Sequence, residues 1–158
     1  MRPRTLWLAL GLLLLAPPLM GAQGPLRHVM YAGCYDGDTC TFILHGKALP
    51  AATRLYVRLR GIDAPELRNV CPRERRLAQD ARIRLRAMLR HAKHIELVDV
   101  VHARRGRYGR HLQRHRVLAT VLADGVNVGR VLVKQGLARR LGRRPRPAWC
   151  PGGPLDER

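Results

Sequence analysis

Arg54-Leu55-Tyr56-Val57-Arg58-Leu59-Arg60 runs into Gly61-Ile62-Asp63-Ala64-Pro65-Glu66, and these thirteen residues decide the fold. Leu55, Val57 and Leu59 fall on one face and Arg54, Tyr56, Arg58 and Arg60 on the other, the period of two of a half-buried strand. Gly61 breaks the alternation, and Pro65 closes off the strand. The turn that follows carries Asp63 and Glu66. Upstream, Asp36-Gly37-Asp38-Thr39 sets two more carboxylates in a tight turn between strand-like flanks. The Asp-Gly pair reads as a hairpin with Gly37 at positive φ. Carboxylates gathered at strand ends in a basic chain point to a hard-cation site that faces a polyanion.

Working outward, residues 28–34 and 39–45 read as the two strands of that hairpin. The clearest helix spans residues 72–91: Pro72 suits its first turn, and Leu77, Ala81, Leu85, Met88 and Leu89 recur at helical spacing. Residues 94–101 and 116–122 read as strands, the second turning at Asp124-Gly125. Asn127 is placed to cap a short helix that ends near Gly136. Residues 103–115 are very basic, with Gly106 and Gly109 marking a loop, and no internal repeat is visible. Five strands, with one helix between the third and fourth and another after the fifth, give a mainly β class with α. The order is that of an OB-fold five-stranded barrel with two helices.

With 158 residues the chain suits one core, and 46% apolar residues with only 4% aromatic build it from Leu, Val, Ile and Ala. Thirty Lys and Arg oppose eleven Asp and Glu, for a formal charge of +19, and nearly all the cations are Arg. The planar guanidinium matches phosphate oxygens, so nucleic acid or anionic lipid is the expected class of partner. Arg2 and Arg4, the apolar run 6–16, Pro17-Pro18 and the small residues Gly21 and Ala22 read as an export signal. Cleavage after Ala22 divides the chain into a signal peptide (1–22), a globular domain (23–141) and an Arg/Pro-rich tail (142–158). A periplasmic or secreted location follows, with membrane attachment only if the signal is kept as an anchor. Cys34, Cys40, Cys71 and Cys150 make an even set, which favours disulfides in an exported chain and allows three connectivities. Cys34 and Cys40 flank the first turn and are placed to face each other; Cys71 and Cys150 would then tie the loop after Glu66 to the tail. No Cys-x-x-Cys pair favours zinc, and His111 and His115 read as phosphate contacts or surface.

Phosphodiester cleavage needs a metal, a base for water and donors for the charge on the phosphate oxygens. Asp38 and Asp63 suit Ca²⁺, the carbonyl of Ala64 can join them, and Glu66 can serve as base with Arg58 beside it. Each carboxylate alone would pass as a turn or cap residue; their order and basic background make the set. Asp36-Gly37-Asp38-Thr39, then Arg58 leading into Ile62-Asp63-Ala64-Pro65-Glu66, then Val117-Leu118-Ala119 with Ala123-Asp124-Gly125, and last Gln135-Gly136-Leu137-Ala138 resemble the staphylococcal-nuclease-like (thermonuclease) family. The resemblance covers roughly residues 30–139. It implies one Ca²⁺ held by Asp38, Asp63 and the carbonyl of Ala64 with Asp36 beside them, Glu66 as base and Arg58 as phosphate clamp. It also implies a monomer that cuts DNA and RNA to 3′-phosphates, with no stable protein partner.

The second catalytic arginine is open between two positions. Tyr108-Gly109-Arg110 has the family's wording, whereas Arg116 has its spacing to Asp124 and is favoured, because spacing fixes where a strand residue points. Arg107, Tyr108 and Arg110 are expected to contact substrate. The tyrosines that commonly follow Gly-Leu-Ala are replaced by Arg139, Arg140 and Leu141. From another class, a catalytically weak or inactive OB-fold nucleic-acid-binding protein would share the charge but need neither Glu66 nor a metal.

Overall fold

The computed structural model describes residues 24–27, 29–45, 53–102, 116–142 and 148–150. The expected export signal, the 46–52 loop and most of the tail lie outside the described residues, as do Arg107, Tyr108, Arg110, His111 and His115. Among the described residues ten elements follow in order: β1 (Val29–Cys34), β2 (Thr39–Leu44), β3 (Thr53–Leu59), β4 (Ile62–Asp63), α1 (Pro72–His91), β5 (Ile95–His102), β6 (Arg116–Ala123), β7 (Val126–Asn127), α2 (Val128–Lys134) and β8 (Arg139–Arg140). The five long strands and both helices stand within a residue or two of the sequence reading, apart from α2, which stops at Lys134. There Gln135 ends the helix and Gly136 turns at φ 70°. The Leu137 N–H reaches the Leu132 carbonyl at 2.9 Å and the Gly136 N–H that of Val133 at 3.1 Å, a Schellman ending.

The main sheet runs β1-β2-β3-β6-β5, with β3 and β6 parallel and the other long pairs antiparallel. Alternation dictates the faces: Val117, Ala119, Val121 and Ala123 of β6 are buried, as are Leu55, Val57 and Leu59 of β3. They meet Phe42, Leu97 and Leu85 and Leu89 of α1, whose buried stripe also carries Ala78 and Ala81. The closed barrel expected from the element order is not completed by strand pairing, because no ladder joins β1 to β5 among the described residues. Only Leu26, ahead of β1, bridges Leu97, with backbone bonds of 2.9 and 3.0 Å. Both seam strands carry register shifts, at Tyr31/Gly33 and Val98/Val101, and such bulges bend a strand and interrupt a continuous ladder.

Both cysteine pairs are disulfides, Cys34–Cys40 across the β1–β2 hairpin and Cys71–Cys150 from the start of α1 to the tail. At the β6–β7 turn Asp124 and Gly125 both take positive φ, 48° and 79°, as a type I′ hairpin requires. Asp124 accepts from the N–H groups of His94 (2.8 Å) and Lys93 (3.1 Å), and these bonds hold its carboxyl below the usual carboxylate range.

Gly37 departs from the expected role. It is absent from the positive-φ glycines, and what it supplies is room. A Cβ there would stand 2.7 Å from the Ala81 Cβ and 2.8 Å from the Ala64 Cβ. The first turn therefore lies directly on α1 and on the Asp63-Ala64 segment, and glycine permits that approach. Gly37→Ala is expected to cost roughly 1–3 kcal/mol through overpacking. Urea unfolding should show a lower midpoint at unchanged slope; an unchanged midpoint would mean that the turn moves aside freely.

Candidate metal and phosphodiester site

The buried polar residues among those described are all acids: Asp36, Asp38, Asp63 and Glu74. In a chain of charge +19, this concentration of buried carboxylate has to be held by design of the local fold.

Asp36 builds the first turn. Its Oδ1 accepts from the N–H groups of Asp38 (3.0 Å) and Thr39 (2.7 Å), the side-chain bonding that makes Asp a turn residue. Cys34 and Cys40 close the turn from both sides as a cross-strand pair. The Asp38 carbonyl accepts from the Leu59 N–H at 2.7 Å, which fastens the turn to the end of β3.

Asp38 is 2% exposed and stands at the centre. Its Oδ1 accepts from Arg58 Nη1 (2.9 Å) and from Thr39 Oγ1 (3.0 Å), while Oδ2 accepts from the Ala64 N–H (3.1 Å). Arg58 also reaches Asp63, Nη2 to Oδ1 at 3.5 Å. One guanidinium thus spans the carboxylates of two strand ends. Burial pushes Asp38 up to about 6 despite Arg58, with Asp36 adding to the rise. The cluster carries more negative charge than its guanidinium offsets, and hard oxygen donors are what a divalent cation such as Ca²⁺ takes.

Pro65 and the turn after β4 bring Glu66 to the mouth of this cluster as an exposed residue. Loss of water around its carboxyl raises it above the usual range, and Asp36, Asp63 and Glu74 push it the same way while Arg58 opposes them. At the rim, Arg68 lies over the ring of Tyr35, 5.8 Å from its centroid.

The sequence from residue 56 to residue 147, more than half of the chain, matches the family described as staphylococcal nuclease homologue. The chain belongs to the staphylococcal nuclease family. No curated protein matches it. Membership carries with it a nuclease-like class that acts on nucleic acid and is generally Ca²⁺-dependent. The matched region includes Arg58, Asp63, Ala64, Glu66 and Arg116; the turn with Asp36 and Asp38 lies ahead of it, and the fold brings the two together.

Arg116, the first residue of β6, pairs with Tyr56 of β3 while Arg58 pairs with Leu118. Arg58 and Arg116 share the outer face of the sheet, one diagonal step apart on neighbouring strands. Arg110, its alternative, stays outside the described residues together with Arg107 and Tyr108.

Glu74 escaped the sequence reading. It sits in the first turn of α1, its own N–H on the Cys71 Sγ (3.5 Å), and its Oε1 accepts from the Glu66 N–H at 3.1 Å. An acid two residues after a helix-starting proline was the available signal, and it resembled ordinary helix-dipole chemistry. Cys71, Glu74 and Cys150 also lie close enough to ligate a metal, but the cysteines are joined to each other and leave no thiolate for one.

Arg58→Met leaves the Asp38 carboxylate buried without its guanidinium. In calcium-free buffer this variant is expected to lose roughly 3 kcal/mol of stability by denaturant unfolding. A loss under about 0.5 kcal/mol, the size of an exposed pair, would contradict the bridging role.

Proposed function

We propose that this chain is an exported, Ca²⁺-dependent, sugar-nonspecific nuclease that hydrolyses DNA and RNA to 3′-phosphates. One observation carries the reading: Arg58 spans the carboxylates of Asp38 and Asp63 at the mouth where Glu66 stands. Buried acids, an arginine and an exposed acid at one mouth are the parts that phosphodiester hydrolysis needs.

Asp38, Asp63 and the Ala64 carbonyl would hold the ion, with Asp36 fixing the turn behind them. Ca²⁺ bound there would neutralise the phosphate and favour attack on phosphorus. Glu66 takes a proton from the attacking water, and its raised affinity for protons suits that work. The new P–O bond forms as the bond to the 5′ oxygen breaks, and that oxygen leaves as a hydroxyl after gaining a proton. Arg58 donates to the phosphate oxygens on which charge accumulates, and Arg116 supplies a second guanidinium from the same sheet face. The many surface arginines hold the polyanion regardless of sequence, which makes binding strongly salt-dependent. The apolar leader and the two disulfides support export to the periplasm or secretion.

Hydrolysis of single-stranded DNA should require Ca²⁺ and stop in excess chelator. Glu66→Gln should lower turnover by about 10²–10⁴-fold with DNA binding nearly intact. Cleavage unchanged in that variant removes Glu66 from the mechanism; tight binding without cleavage in the unaltered chain favours the inactive OB-fold binder.

Arg116→Ala should lower kcat by about 10²–10³-fold, the effect of losing one donor to the transition state. Arg110→Ala should mainly raise KM. The reverse ranking in single-variant kinetics would assign the second clamp to Arg110.

A further inference from the structure

Against β4, β8 and α2 lies a cavity of about 920 Å³ that holds none of the carboxylates of the candidate site. Arg60, Arg130, Lys134 and Arg140 line it, all four exposed, and no acid does so among the described residues. Arg60 gives one nitrogen to the Asp99 carbonyl at 3.3 Å. The side chains of Arg130, Lys134 and Arg140 make no hydrogen bond or ion pair among the described residues. Between these cations the lining is apolar, with Ile62, Leu122, Val131 and Val133. Val126 and Leu141 line the same cavity yet are 54% and 46% exposed, which sets them among the few large apolar side chains that the described surface shows to water.

We propose that this face binds the surface of an anionic phospholipid membrane, with lipid phosphates on the four cations and Val126 and Leu141 set into the headgroup layer. Cations beside exposed apolar side chains are the composition of an interfacial site, where apolar burial and attraction to anionic lipid add together. Guanidinium forks suit the phosphate of a lipid headgroup. A nucleic-acid strand would use the cations but leave the apolar lining idle, since no aromatic side chain stands there among the described residues to stack a base. An acidic peptide would need enclosed pockets for its side chains, whereas Val126 and Leu141 offer apolar surface outward, as a bilayer requires. Attachment of this kind is peripheral and needs no spanning helix; none among the described residues is long and apolar enough to cross a membrane.

Its place leaves the carboxylates uncovered. In β4, Ile62 lines this cavity while the next residue, Asp63, belongs to the acidic cluster, and successive strand residues point to opposite faces. In β8, Arg140 stands opposite Ile62 and lines the cavity, whereas Arg139 stands opposite Asp63. The chain can therefore lie on a membrane with its carboxylate cluster turned to solvent. Lipid binding here does not depend on the nuclease reading, and the two have separate readouts.

In calcium-free buffer the full chain is sedimented with phosphatidylcholine vesicles that contain phosphatidylglycerol, and with phosphatidylcholine vesicles alone. Three variants are compared, each checked for its fold by circular dichroism. Arg130→Gln/Lys134→Gln/Arg140→Gln removes cavity cations, Arg75→Gln/Arg76→Gln/Arg90→Gln removes as many from exposed positions of α1, and Val126→Thr/Leu141→Gln leaves the charge unchanged. The unaltered chain is expected to prefer the anionic vesicles. Loss of the cavity cations should weaken that partitioning about 10²-fold, and loss of the α1 cations much less. The charge-neutral variant should weaken it about threefold or more. Equal losses in the two charge variants would mean attraction by net charge alone and overturn the site. No loss in Val126→Thr/Leu141→Gln overturns it as well, as does equal binding to neutral vesicles, which marks the apolar leader. A labelled oligonucleotide and an oligoglutamate are titrated on the same chains. A larger loss of either than of vesicle binding in the cavity variants assigns the face to nucleic acid or acidic peptide and overturns the membrane site. Failure of vesicle binding with Ca²⁺-dependent cleavage intact removes the membrane face and leaves the nuclease reading standing.

Discussion

A single guanidinium shared between carboxylates of two strand ends is the constraint on which the site depends. Asp38 belongs to the β1–β2 turn and Asp63 to β4, segments separated by the whole of β2 and β3 in sequence. Arg58 touches both, at 2.9 and 3.5 Å. Burial strips water from the Asp38 carboxylate and Asp36 adds its repulsion, so the proton affinity of Asp38 is raised even with Arg58 beside it. Such an arrangement persists only where the surrounding backbone fixes it. Here the fixing comes from the Ala64 N–H on Asp38, the Asp36 turn and the Leu59 N–H on the Asp38 carbonyl.

The fold serves this by bringing turns to one rim. Gly37 lets the first turn sit against Ala81 of α1 and against Ala64 just after β4, with only the two alanine methyls at the contact. The start of α1 then adds Glu74 to hold the Glu66 backbone, and Cys71 carries the tail with Trp149 to the same rim. Both disulfides end beside the site, one across its hairpin and the other at its helix. Cross-linking there restrains the parts whose spacing governs the chemistry.

Much of the fold was legible because its signals are local. Alternation through Leu55, Val57 and Leu59 marked β3, and Pro72 with Ala81, Leu85 and Leu89 marked α1. The carboxylates at the site were conspicuous against a basic chain, and the cysteine pairing followed from the hairpin between Cys34 and Cys40. What escaped depends on contacts across the fold. Glu74 passed for a helix-dipole acid, and its bond to Glu66 exists only once α1 docks. Gly37 looked like a turn glycine by its Asp-Gly neighbours, but its reason lies in Ala81, far along the chain. The open seam between β1 and β5 depends on how two strands far apart in sequence approach each other, which the alternation within each does not record. Trp149 sits in a Pro/Arg-rich tail with no pattern of its own, and only the disulfide brings it to Arg139.

Calorimetric titration of Ca²⁺ into the metal-free chain, without nucleic acid, tests the account most directly when repeated on Asp38→Asn. That substitution keeps the shape of the residue that Arg58, Thr39 and Ala64 all contact. The account predicts one ion bound per chain and binding lost in the variant, with the fold retained by circular dichroism. Equal binding by both chains, or none by the unaltered one, would contradict the claim that these buried carboxylates form a cation site.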